Sequence, residues 1–110
     1  MAKDDYFKIV YVILKELYEA RKHGMRVDTS AISRERLQID GGYLLSILDE
    51  LVENGYVKGI TIHRSKTGIY ITSLEDMDIT MKGIQFLEEN SMMRKVKEAL
   101  KDVKAIMPGI

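Results

Sequence analysis

Cysteine is absent from all 110 residues, which excludes disulfides, thiolate nucleophiles and zinc sites built on sulfur, and fits a reducing interior. Net charge is missing too. Seventeen basic residues balance seventeen acidic ones, so the strongly basic character of an avid, non-specific nucleic-acid binder is not there. No long apolar run occurs: the most apolar stretch, Ile9 to Leu14, is short and flanked by charge, so neither a signal peptide nor a membrane-spanning segment is expected. A cytoplasmic protein with no membrane partner is expected. Repeats, low-complexity tracts and internal linkers are lacking, and the one proline, Pro108, stands near the end of the chain.

Signatures of chemistry are equally sparse. Asp40-Gly41-Gly42 lacks the spacing and the lysine of a phosphate-binding loop. His23 falls at a helix end and His63 in a hairpin, neither paired in sequence as metal ligands would be. No enzyme, metal, cofactor or small-molecule ligand is expected.

What is present is an ordinary globular composition, 45% hydrophobic and 31% charged, sized for one domain over residues 1–110. Its clearest stretch is Ile39 to Lys58. Leu44, Ile47, Leu48, Leu51 and Val52 recur at helical spacing, with Ser46, Asp49, Glu50 and Glu53 on the other side. Asp40 is placed as N-cap, with Ile39 and Leu44 as a hydrophobic staple, and Asn54-Gly55 supplies the stop. Before this helix, Tyr6, Val10, Ile13, Leu14 and Leu17 predict a long first helix whose extra apolar residues, Ile9, Tyr11 and Val12, require cover on two sides. A second helix starts near Asp28-Thr29-Ser30, with Ala31, Ile32 and Leu37 inward and Arg34 and Arg36 outward. After Gly55, β-branched alternation over Val57–Ile62 and Ile69–Ser73 predicts a hairpin with a basic tip, His63 to Gly68. Thr80 caps a short helix with Ile84 and Leu87 inward. A last helix runs from about Met92 to Ile106, with Met92, Val96, Leu100, Val103 and Ile106 at near-heptad spacing, and Pro108-Gly109 ends it. The fold class expected is α+β, mainly α: a winged helix-turn-helix with a three-helix core, a β-hairpin wing and two C-terminal helices. Residues 1–90 form the core and wing, and residues 91–110 a C-terminal helix for packing or dimerisation.

The segments Leu51-Val52-Glu53-Asn54-Gly55-Tyr56-Val57-Lys58-Gly59-Ile60 and Ile79-Thr80-Met81-Lys82-Gly83-Ile84-Gln85-Phe86-Leu87-Glu88-Glu89-Asn90 resemble the YjcQ family. The resemblance covers nearly the whole chain. It implies a winged helix fold, an origin in phages or prophages of Gram-positive bacteria, and a likeness to DNA-binding regulators.

In such a fold the third helix enters the major groove by its N-terminal residues. Gly42, Tyr43 and Ser46 are therefore the candidate base-reading residues, and a serine hydroxyl or a tyrosine ring can meet base edges or thymine methyls. That helix carries no Lys or Arg, so phosphate contacts fall to Arg34 and Arg36 of the second helix and to His63, Arg64 and Lys66 of the hairpin. Double-stranded DNA is the expected partner. A homodimer through Met92, Val96, Leu100, Val103 and Ile106 is the alternative use of the last helix to simple packing. The competing function is a protein–protein interaction module that presents the acidic third helix and binds no DNA.

Overall fold

The computed structural model describes residues 3–102, and the side chains of residues 5–101. Helix α1 (Lys3–Lys22) is followed by a 3-10 turn at Thr29–Ile32, a one-turn helix α2 (Arg34–Leu37) and α3 (Gly41–Glu53). Strands β1 (Val57–Lys58), β2 (Thr61–Ser65) and β3 (Gly68–Thr72) come next, then a 3-10 turn at Leu74–Asp76 and strand β4 (Asp78–Ile79). Helices α4 (Met81–Glu89) and α5 (Ser91–Asp102) complete an α+β, mainly helical architecture. Among the described residues no helix is long and apolar enough to cross a membrane.

Everything packs around α1. Every residue from Ile9 to Leu14 is buried, as is Leu17, so the helix is enclosed around most of its circumference rather than along one stripe. Its neighbours are α4, α5, β4 and the first 3-10 turn, and Ile47, Leu48 and Leu51 of α3 join the same core. The two-sided cover expected from the sequence is thus supplied by the core and by α5.

Helix α3 keeps its expected limits because both ends are capped locally. The Asp40 carboxylate accepts from the Gly42 N–H at 2.9 Å. At the other end Gly55 N–H reaches the Val52 carbonyl at 3.0 Å and Tyr56 N–H the Leu51 carbonyl at 2.9 Å, the paired closure that needs a left-handed residue after the helix. Gly55 is that residue, with φ 78°.

Three expectations are corrected. The second helix is not continuous: Asp28 caps the 3-10 turn through the Ser30 N–H, and Ser33 starts α2 afresh by accepting from the Arg36 N–H at 3.2 Å. Each capping side chain offers the backbone an alternative to the helical ladder, so two short turns replace one helix. The turn into α3 uses Gln38 at φ 55° where a glycine is usual.

The strand expected over Val57–Ile62 is broken at Gly59-Ile60. Its first part pairs with β4, Val57 opposite Ile79 and Lys58 opposite Asp78, and its second with β3. Gly59 causes the break, with φ 93° and a position where any Cβ would lie 2.0 Å from the Asp76 carbonyl oxygen. Only glycine allows that crossing.

The apolar stripe of α5 starts one residue later than expected. Asn90 Oδ1 accepts from Met92 N–H at 2.9 Å and Met93 N–H at 3.2 Å, and this cap sets the register so that Met93 and Val96 are buried while Met92 and Leu100 are half-buried. All four pack on the chain's own core. Val96, expected at a dimer interface, is committed to that core at 5% exposure. Val103, Ile106 and the Pro108-Gly109 stop lie outside the described residues.

Candidate functional site

The β2–β3 hairpin turns through Lys66-Thr67, with Ser65 opposite Gly68. His63 and Arg64, expected at the tip, are instead strand residues, and strand periodicity sends them to opposite faces. His63 stacks flat on Tyr70, centroids 4.5 Å apart, and its Nε2 lies 2.9 Å from Thr72 Oγ1 on the outer face. Arg64 is on the face shared with Ile62, Ile69 and Ile71, and it turns onto α3. Only Lys66 remains at the tip itself.

Arg64 is held there by two carboxylates. Its guanidinium donates to Asp49 through Nη1 at 3.1 Å and Nη2 at 2.7 Å, and Nη2 also reaches Glu53 at 3.1 Å. This two-toothed geometry is the strong form of an arginine–carboxylate pair. The hydrogen bond to Asp49, reinforced by the charges of Asp49 and Glu53, holds the Arg64 pKa above its ordinary value. The contact joins residues 15 and 11 positions apart in sequence, so it anchors the hairpin on α3 and offsets one of the three negative charges, Asp49, Glu50 and Glu53, in the C-terminal half of that helix.

The N-terminal half of α3 is open and carries no charge of its own. Gly42 and Ser46 are exposed one helical turn apart, and the Ser46 hydroxyl donates to the Tyr43 carbonyl at 2.8 Å, leaving its lone pairs outward. Tyr43 is turned away from this surface. It is half-buried with its ring 6.2 Å from that of Tyr6, against the start of α1.

Arg34 lies over the helix entrance: a methyl group added to Gly41 would come within 3.3 Å of Arg34 Cδ. Its Nε donates to Glu35 at 3.1 Å, with both side chains well exposed, a contact that solvent and salt weaken. Arg36, expected to point outward, is half-buried, and its charge helps to lower the pKa of Asp28 after the stronger effect of the Ser30 hydroxyl and N–H. Of the candidate residues, then, Arg34, Gly42 and Ser46 gather at one end of α3 and Lys66 stands at the hairpin tip. Tyr43, Arg36, His63 and Arg64 are engaged within the chain.

Two features were not read from the sequence. One is the Arg64 bridge, signalled only by strand alternation, which places Arg64 with Ile62 on the inward face. The other is that Lys15 and Lys22 on α1 line one groove with Arg94, Lys97 and Lys101 of α5. Among the described residues no three histidine, aspartate or glutamate side chains converge as a metal site requires.

A short helix, a tight turn, a longer helix and then an antiparallel hairpin latched onto it define a small, mainly helical α+β domain. The chain belongs to the YjcQ family: the model of that family, described as YjcQ protein, matches residues 11–106. No curated protein and no solved structure matches the chain.

Proposed function

We propose that this chain is a winged helix DNA-binding protein, a regulator of phage or prophage type acting in the cytoplasm, that offers the N-terminal half of α3 to the major groove of duplex DNA. The observation that carries the reading is the division of α3 into an open entrance, with Arg34 beside it and the Asp40 cap as its own carboxylate, and an acidic exit on which Arg64 is bound. Base edges meet Gly42 and Ser46, while Arg34 and Lys66 take phosphates on either side. Arg64 contributes indirectly, by holding the hairpin in place and offsetting part of the negative charge of Asp49 and Glu53. The same contact weakens an interaction module built on the acidic face of α3, since Asp49 and Glu53 share one cation there.

Two cationic contacts make a small footprint, so affinity is modest and strongly dependent on salt. The test is a titration of labelled duplexes between about 50 and 200 mM salt. Arg34→Gln and Lys66→Gln each lower affinity and reduce the salt slope by about one unit. Binding no stronger at low salt than at high, or indifferent to both substitutions, sinks the proposal.

A further inference from the structure

A groove of about 530 Å³ runs between α1 and α5, closed at one side by α4. Lys15 and Lys22 stand on its α1 wall, and Arg94, Lys97 and Lys101 on its α5 wall. On each wall the outermost cations are seven residues apart, about 10 Å along a helix, so two basic rails face each other across the gap. Lys22 is spent on Glu19 at 2.9 Å and over the Tyr18 ring at 4.5 Å. Among the described residues Lys15, Arg94, Lys97 and Lys101 make no salt bridge. The carboxylates left in the groove are Glu88 and Glu98, so four cations face two acids.

The floor is apolar, formed by Leu87 and the ring of Tyr11, which is 7% exposed. Burial, with the charges of Glu88 and Glu19, pushes the Tyr11 pKa up, so its hydroxyl stays a donor at neutral pH. That hydroxyl makes no hydrogen bond among the described residues.

We infer that this groove is a docking site for a segment of a partner protein that carries carboxylates around an apolar anchor residue. The rails receive the carboxylates, Leu87 and the Tyr11 ring receive the anchor, and the Tyr11 hydroxyl donates to an acidic side chain above it. A nucleic acid suits the groove less well. Its phosphodiester backbone has no apolar side chain to set on Leu87 and the Tyr11 ring, and the volume is that of a drug-sized ligand rather than a duplex. The site shares no residue with the surface of α3 and the hairpin, so it stands or falls apart from the DNA reading.

The probe is a fluorescein-labelled amphipathic peptide with glutamates on one face and Leu and Phe on the other, followed by anisotropy at about 50 mM salt. Controls are the same peptide with Lys for Glu, and oligothymidylate as competitor. The acidic peptide binds, the basic one does not, and Lys97→Glu with Lys101→Glu raises Kd by about tenfold or more. Both positions are exposed, and far-ultraviolet dichroism confirms that the fold survives. Tyr11→Phe, which keeps the packing, weakens binding a few-fold, and Lys66→Glu leaves it unchanged. Equal binding of the two peptides, indifference to the double reversal, or displacement by oligothymidylate at lower concentration than by unlabelled peptide overturns the proposal.

Discussion

Arg64 shows how one side chain changes the meaning of its surroundings. In sequence it belongs with Lys66 as a free cation near a hairpin tip, but in space it closes onto Asp49, whose side chain is only 18% exposed. Arg64 itself stays 53% exposed, but two parallel hydrogen bonds to a partly covered carboxylate couple the partners more than a single-point surface contact does. Arg64→Met and Asp49→Asn should therefore each lower the melting temperature, with the double variant falling no further than the worse single. Strict additivity in that cycle would mean the two side chains do not act together. Asp28 offers a test by pH. Its carboxylate is held below the usual range, first by the Ser30 hydroxyl and then by the Ser30 N–H. A pKa lowered in the folded state adds stability that is complete above the ordinary value and is lost as pH falls through the lowered one. Asp28→Asn keeps a capping oxygen but cannot titrate, so stability below about pH 5 should fall less steeply with acid than in the parent. An unchanged acid limb would deny the cap its role.

At the scale of elements, the parts legible in the sequence are those whose signals are local. Asp40, Thr80 and the Asn54-Gly55 stop each sit within a few residues of the backbone groups they satisfy, so the limits of α3 and the start of α4 could be read directly. Ser33 is as local as these, and its renewed capping signal was there to split the second helix. The break at Gly59 and the pairing of β1 with β4 were not legible, because both depend on the Asp76 carbonyl arriving from 17 residues away. Thr80 does two jobs, accepting from Gly83 N–H at 2.9 Å and donating to the Gly55 carbonyl, and so it ties the start of α4 to the exit of α3. Thr80→Ala should cost about 1 kcal/mol or somewhat more in a denaturant titration, the usual loss for a cap. Gly83→Ala sets two effects against each other. Alanine gains about 1 kcal/mol of helix propensity, but its Cβ would lie 2.2 Å from the Tyr56 carbonyl oxygen. Backbone cannot yield as a side-chain tip does, so overpacking wins and a net loss of about 2 kcal/mol is expected. A neutral or stabilising Gly83→Ala would mean that α4 sits further from the β1 turn.

Across the whole molecule, a net charge of zero hides an uneven distribution. The α1–α5 groove gathers Lys15, Arg94, Lys97 and Lys101, which make no salt bridge among the described residues, while the exit of α3 holds Asp49, Glu50 and Glu53 against the single charge of Arg64. Composition alone reported the balance and missed the separation, because the groove joins residues from both ends of the chain. The stripe at Met92, Val96 and Leu100 was likewise legible as a stripe, while its packing on the chain's own core depends on tertiary contacts. The most direct test of the account is to map backbone amide shifts by nuclear magnetic resonance as a duplex is added. The account predicts that perturbations gather on Arg34, on Gly42 to Ser46 and on Ser65 to Gly68, with α5 unmoved. Shifts confined to the α1–α5 groove, or none at all at low salt, would contradict it.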